Sequence, residues 1–386
     1  MSNYPLSTNT WDVNELDAIQ SVIDSDDYTM GKNVAQFETD FGKFINRKFC
    51  LMVSSGSAAN LISIASFFYT KNPMLKKGDE VIVPAVSWST TYFPLQQFGL
   101  KLKFVDIDLN TLNYDLNALN SAITDKTKMI VVVNLLGNPN DFDVINKIIK
   151  DKNIFIFEDN CESLGAEYKG KKTGTFGVIG TFSTYFSHHI STMEGGFVTT
   201  DNEEIYHILL SLRAHGWTRN LPKKNFVANK SDDWFEESFR FVLPGYNVRP
   251  IEICGAIGVK QLAKTPYFLK KRRENAELFV KLFKDHPNYL IQKNIDKSSW
   301  FGFSLIIKQD SNVKRKKIID ILQKNKVECR PIVTGNFVRN EVMKYFDYEV
   351  HEELKNANYL HDNGFFVGNS HKNLTKNINL LKDILS

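Results

Sequence analysis

Residues 181–200 read TFSTYFSHHISTMEGGFVTT. The β-rich runs at either end, GTFSTY from Gly180 and GFVTT from Gly196, predict two short buried strands joined by a polar bend. The bend carries Ser183, the adjacent pair His188 and His189, and a Glu194-Gly195-Gly196 turn. It carries no lysine, and none occurs anywhere between Lys172 and Lys223. On an extended segment the two neighbouring histidines would point to opposite faces, which makes them a poor metal pair.

Working outward, EVIVPAV from Glu80, KFVDID from Lys103, MIVVVN from Met129 and IFIFED from Ile154 predict further strands. Helical patterns over residues 58–69, 90–98, 116–123, 142–150 and 203–213 alternate with them at the spacing of βα units. The strands are apolar along their whole length, so both faces are buried. That implies an α/β fold, a mostly parallel central sheet covered by helices. After His215 the basic stretch HGWTRNLPKKNFVANKSDDWFEES breaks the rhythm, either as a functional flap or as a solvated surface loop. Helices over 247–261 and 268–284 then lead to a smaller unit with strand WFGFSLII from Trp300, a helix over 313–324 and ECRPIV from Glu328. The expected organisation is an N-terminal arm and large domain over 1–255, and a small C-terminal α+β domain over 256–386.

The chain has 386 residues, 42% hydrophobic, with a formal net charge of only +4. That balance gives no case for nucleic-acid binding, although it permits acidic substrates. The start, MSNYPLSTNTWD, has neither a basic segment nor an apolar core, and no later apolar run reaches membrane-spanning length, so a soluble, cytoplasmic protein is expected. Cys50, Cys161, Cys254 and Cys329 are far apart, with no C-x-x-C pair. Free thiols are expected, with no zinc or iron-sulfur site.

Four features carry chemistry. In SSGSAAN, residues 54–60, a small-residue turn opens a helix whose free N–H groups suit a phosphate around Gly56 and Ser57; Ser57 also reads as a plain N-cap. Asp159 closes IFIFED at the edge where open α/β sheets bind ligands, as an anionic partner for a protonated ring nitrogen or as a turn aspartate. Trp88, just past a strand, reads as a stacking plane for a ring or as a core residue. The fourth is the run from Ser183 to Gly196 around His188.

Taken in order, TMGKNVAQFETDF, SSGSAAN, EDNCESLGA, the spaced FS, His188 and EGG, and GYNVRPIEICGAIG resemble the fold-type-I pyridoxal phosphate enzymes that act on nucleotide-linked keto sugars, most of them aminotransferases. The resemblance spans nearly the whole chain and implies an aspartate aminotransferase-like fold. In that family the lysine that bonds the cofactor lies five residues after the serine of FS and six before the glutamate of EGG. Both counts land on His188. The departure points to the family's lysine-less dehydratase branch, which uses L-glutamate to convert pyridoxal phosphate to pyridoxamine phosphate. A histidine cannot form the covalent link, but its pKa of about 6.5 lets it move a proton near neutral pH.

The resemblance further implies that Gly56, Ser57 and Ser183 hold the cofactor phosphate and that Trp88 stacks on the ring. It pairs Asp159 with the ring nitrogen and brings Glu162, one helical turn further, near the ring hydroxyl. Asn247 would reach the phosphate from a neighbouring subunit, so a homodimer with shared active sites is expected. His215 and Thr29 would contact the nucleotide sugar. Arg219, Arg249 and Arg330 have the chemistry to hold its diphosphate, and each also reads as a surface ion pair. A related class that works with an iron-sulfur reductase carries clustered cysteines, so no such partner is expected here. Two other readings stay open: an aminotransferase using a lysine elsewhere in the chain, and a non-catalytic binding protein that keeps the fold.

Overall fold

In a computed structural model, which describes residues 2–386, the apolar runs become β1 (Phe49–Val53), β2 (Glu80–Pro84), β3 (Lys101–Val105), β4 (Thr127–Val133) and β5 (Phe155–Asp159). A small hairpin follows, β6 (Glu167–Tyr168) and β7 (Lys171–Lys172), and then β8 (Ile179–Ser183) and β9 (Gly196–Thr200). The last third supplies β10 (Tyr289–Ile291), β11 (Gly302–Ile307), β12 (Cys329–Arg330), β13 (Tyr348–Val350) and β14 (Gly364–Gly368). The eight-stranded main sheet has the order β1-β9-β8-β5-β4-β2-β3-β13.

Every pair from β8 to β13 in that order is parallel, and only β9 runs against its neighbours β8 and β1. Reversal of β9 follows from its connection. An antiparallel partner can be reached through a short bend, whereas a parallel one needs a long crossover. That geometry gives residues 184–195 their place at the sheet edge. β1 lies parallel to β8 on the far side of β9, and its short run FCLMV was not among the predicted strands.

The expectation of strands buried on both faces holds. All five residues of β2 are buried; Val81 and Val83 enter the core under helices Gly56–Phe68 and Glu203–Arg213, while Ile82 enters the opposite core with Leu119, Phe142 and Ile145. Each such aliphatic side chain contributes about 1.5–3 kcal/mol of burial.

A second, all-antiparallel sheet has the order β10-β11-β14-β12. Its strand from Trp300 begins at Gly302, its helix at Arg315, and ECRPIV pairs only at Cys329–Arg330. The two helices expected over 247–261 and 268–284 are instead one, Glu252–Phe283, with Pro266 inside it. Packing of this helix along Val13–Ser25 and Lys32–Ile45 outweighs the local cost of the proline. Its start lies at Glu252 rather than residue 247 because Pro250 keeps Arg249 out of helical geometry. Asn247 bridges Ala214, and residues 248–250 take no regular structure. Position 255/256 falls within this helix, β13 joins the edge of the main sheet, and Tyr4 near the N-terminus donates to the Gly368 carbonyl at 2.8 Å.

Candidate active site

Strands β2, β5 and β8 are parallel and end along one edge of the main sheet. Trp88 follows β2, Asp159 closes β5, and Ser183 closes β8. β1 ends beside them, since Gly196 pairs with both Val53 and Ser183. The sheet thus gathers at one edge residues scattered over more than a hundred positions, where open α/β folds bind ligands.

Asp159 is buried and fixed by three donors. Its Oδ2 accepts from Asn60 Nδ2 at 2.9 Å and from Thr91 Oγ1 at 2.8 Å, and its Oδ1 accepts from the Cys161 N–H at 3.1 Å. Behind these, Thr181 Oγ1 holds Asn60 Oδ1 at 2.6 Å, and Ser87 Oγ lies 2.8 Å from Thr91 Oγ1. The local turn bond to Cys161 and the wider network coexist, so the carboxylate is held rigid. Neither Asn60 nor Thr91 was singled out in the sequence; a polar residue on an apolar helix was the available signal.

The N-cap of helix Gly56–Phe68 is Ser55, whose Oγ accepts from the Ala58 N–H at 3.0 Å. The capping role read for Ser57 is therefore corrected: Ser57 lies in the first turn, exposed, with its Oγ 3.0 Å from Thr90 Oγ1. A Cβ on Gly56 would come within 2.7 Å of Ser183 Cβ and 2.8 Å of Cys161 Sγ. Only glycine lets this helix end press against β8, and its first-turn N–H groups and positive dipole are suited to an anion. Ser183 is itself buried, its Oγ accepting from the Tyr185 N–H at 3.2 Å.

Trp88 is 57% exposed, so the core reading fails and its indole stands free at the site edge. Glu162 does not lie a helical turn beyond Asp159, because residues 161–165 form turns. Its Oε2 accepts from the Leu136 N–H at 3.1 Å, and burial, reinforced by the charge of Asp159, pushes its carboxyl up to about 7.

His188 and His189 lie in the bend rather than on an extended strand, which overturns the expectation of opposite faces. Both rings pack on Phe301, with centroids at 5.1 and 5.7 Å. The side chain of His188 is half-buried, yet its Nδ1 is enclosed and meets no protein partner. Burial, then the nearby Arg272 guanidinium, lower its pKa to about 4, so the imidazole is neutral at neutral pH. Arg272 is itself buried, donating to the carbonyls of Trp300, Phe301 and Asn369 at 3.3, 3.2 and 2.9 Å.

A second cluster forms around Trp217, which sequence reasoning did not single out. The Arg219 and Arg249 guanidiniums lie 4.3 and 5.4 Å from its ring, and the His215 ring lies 5.1 Å away. Cation-π stacking of this kind holds guanidiniums without neutralising them. Arg249 Nε also donates to Asn247 Oδ1 at 3.0 Å, and the intervening Val248 carbonyl accepts from the Ser54 N–H at 2.9 Å. The cluster therefore adjoins the turn before Gly56. Arg330 is exposed on β12, four residues before Thr334, which donates to the Ser87 carbonyl at 2.7 Å. Thr29 is exposed near the start of the long helix, where the Tyr28 carbonyl accepts from the Glu252 N–H, and no described contact ties it to the site.

Comparison with known proteins gives this geometry a context. The family model described as the DegT/DnrJ/EryC1/StrS aminotransferase family matches residues 9–378. A GDP-4-keto-6-deoxy-D-mannose 3-dehydratase of Escherichia coli O55:H7 is 62% identical over 387 residues, covering 100% of both chains. A structure of a GDP-4-keto-6-deoxymannose-3-dehydratase with a trapped PLP-glutamate geminal diamine superposes with a TM-score of 0.99 at 61% identity, covering 100% of both. An H188N mutant with bound GDP-perosamine does so with the same score, identity and coverage. The chain thus belongs to the DegT/DnrJ/EryC1/StrS aminotransferase family and has its pyridoxal phosphate fold type I architecture.

Proposed function

We propose that this chain is a lyase that removes the C3 hydroxyl of GDP-4-keto-6-deoxy-D-mannose, with pyridoxal phosphate as cofactor and L-glutamate as amino donor. The observation that carries the reading is His188 standing where the lysine belongs, at a sheet edge that also gathers Gly56, Trp88, Asp159 and Ser183. Near-identical architecture and 62% identity with a protein of that activity support the substrate assignment.

The residues present fit the cofactor. Gly56 leaves a cradle that a Cβ would fill, beside Ser57 and Ser183, where first-turn N–H groups can take a phosphate. Asp159 offers a rigid carboxylate to the ring nitrogen, Glu162 lies close by for the ring hydroxyl, and the free indole of Trp88 suits a ring face. When bound, pyridoxal phosphate supplies an electron sink that stabilises negative charge next to the ring. Without a lysine at 188, the chain itself offers no covalent tether there.

His188 then has one task, moving protons. As a neutral imidazole it takes a proton from the carbon attached to the ring, and as imidazolium it returns one to the departing C3 hydroxyl. Arg272 and the enclosing residues bias it towards the neutral base between these events. The balance is one 4-keto sugar and one glutamate giving one 3-deoxy-4-keto sugar, 2-oxoglutarate and ammonia.

Arg219 and Arg249 on Trp217 hold the diphosphate, with His215 beside them; Arg330 and Thr29 are assigned to the substrate on the family resemblance alone. The chain works as a homodimer sharing its active sites, with Asn247 reaching the phosphate of the neighbouring subunit. Supporting this, Asn247 is exposed, and Trp234, Phe235, Phe239 and Phe241 are 77, 74, 70 and 58% exposed on the segment after Arg219. So much aromatic surface is costly to leave in water. No helix of the described residues is long and apolar enough to cross a membrane. Work in the cytoplasm, on the way to colitose of lipopolysaccharide O-antigen, belongs to the same proposal and rests on the resemblance.

Incubation with pyridoxal phosphate, L-glutamate and GDP-4-keto-6-deoxy-D-mannose is the test. Ammonia should appear in step with 2-oxoglutarate. Accumulation of an amino sugar without ammonia would overturn the reading.

A further inference from the structure

Behind His188 lies a set of buried polar atoms that the proposed chemistry does not use. His189 is 1% exposed, and its Nε2 lies 3.2 Å from the Ser299 carbonyl oxygen. A carbonyl only accepts, so His189 must carry its proton on Nε2, and its Nδ1 is left as a lone-pair acceptor. That Nδ1 is enclosed and has no protein partner, and the same is true of His188 Nδ1 and of Ser299 Oγ. Thirteen side-chain atoms among the described residues are enclosed without a protein partner, and these three belong to residues packed together, since His188 and His189 share Phe301 and His189 meets Ser299; buried polar atoms of this kind are ordinarily satisfied by water where the protein offers nothing. Ser299 is itself fixed: its N–H donates to the Gly137 carbonyl at 2.9 Å, and a Cβ on Gly137 would lie 2.6 Å from Ser299 Oγ.

The two ring nitrogens of His188 differ. Nδ1 is the enclosed one, leaving Nε2 as the nitrogen accessible to the site. For Nε2 to accept a proton, a neutral His188 must carry its hydrogen on Nδ1, and a buried N–H needs an acceptor.

We infer that His189 is a positioning residue, which sets the tautomer of His188 through one buried water held between His188 Nδ1–H, His189 Nδ1 and Ser299 Oγ. The water accepts from His188 and donates to His189, and the direction of the whole relay is fixed by the Ser299 carbonyl at its far end. A buried water with about three polar partners is an ordinary structural element. The groups around the pair are Arg272 and Arg273 from the long helix, Tyr185 from the bend, and Ser299 and Phe301 from the segment before β11. Neither arginine can accept a hydrogen bond, so neither can replace His189 as the end of the relay. Burial, and after it the charge of Arg272, keeps both imidazoles neutral, as the relay requires.

This inference rests on His188 being the acid–base group, but its test does not require turnover. Nitrogen NMR of the full-length protein labelled at histidine, with and without pyridoxal phosphate, reads each tautomer directly, and His188→Asn and His189→Asn assign the signals. His188 is expected as the Nδ1–H form and His189 as the Nε2–H form. His188 as the Nε2–H form, or His189 as the Nδ1–H form, would overturn the relay even if the dehydratase reading stands. In His189→Phe, which keeps an aromatic ring but no acceptor, His188 should lose its single tautomer and kcat should fall at least tenfold with KM little changed. His189→Asn, which keeps an acceptor near Nδ1, should restore much of both. A folded His189→Phe variant with an unchanged His188 tautomer would contradict the proposal; should that variant not fold, the wild-type tautomers alone decide.

Discussion

His188 and Phe301 meet edge to face, with ring centroids 5.1 Å apart and planes at 67°. The histidine comes from the bend between β8 and β9 of the main sheet, and the phenylalanine from the segment leading into β11 of the smaller sheet. An edge-to-face pair contributes about 0.5–1.5 kcal/mol beyond its buried area, and here it aims the ring proposed as the acid–base group. Phe301→Ala should therefore lower kcat by roughly tenfold to a hundredfold, through misplacement of His188, with a smaller change in KM. Steady-state kinetics on Phe301→Ala and Phe301→Tyr check this, and the tyrosine variant should keep most of the rate.

Gly56→Ala tests the cofactor cradle. The added methyl would lie 2.7 Å from Ser183 Cβ and 2.8 Å from Cys161 Sγ, with the backbone Cα of Ser183 at 3.3 Å, and a Cβ has no freedom to move off its own backbone. The helix end must shift away from β8, so affinity for pyridoxal phosphate should fall by about tenfold or more, the equivalent of about 1.4 kcal/mol. A fluorescence titration of the cofactor-free protein measures it directly.

Asp159→Asn removes the charge while keeping the shape. Its Oδ2 now satisfies Asn60 and Thr91, and an amide cannot accept both while offering an anion to the ring nitrogen. Absorbance of the loaded protein should then no longer change when L-glutamate is added, even where the cofactor still binds.

The alternation of strands and helices from Glu80 to Arg213 was legible in the sequence because its buried strands are largely apolar and its helices keep their period, whereas β1, β10, β13, β14 and helices Val13–Ser25 and Lys32–Ile45 were not predicted. His188 was legible too, by counting from Ser183 and Glu194 to a position that lacks a lysine. Long-range packing was not legible. Nothing local shows that Pro266 is tolerated within a 32-residue helix, and FCLMV becomes a strand only because β9 reverses beside it. Trp217 was passed over because a tryptophan in a polar run looks like any loop residue. Its meaning comes from Arg219 and Arg249, thirty positions apart, converging on one ring.

The neutral state of His188 has a consequence for stability. Its pKa falls from 6.5 to about 4 on folding, so the unfolded chain binds more protons between those values. The contribution is level above pH 6.5, and stability is lost progressively as pH falls from 6.5 towards 4. The cofactor-free protein should show a falling Tm across that window, and His188→Asn should show a shallower fall by thermal denaturation in a pH series.

The claim that a histidine in place of the lysine makes this chain a 3-dehydratase is tested most directly by the mass of its product. Mass spectrometry of the nucleotide sugar formed from GDP-4-keto-6-deoxy-D-mannose and L-glutamate should show the loss of one oxygen atom and no gain of nitrogen. A product that keeps its C3 oxygen and carries an amino group at C4 would contradict the account.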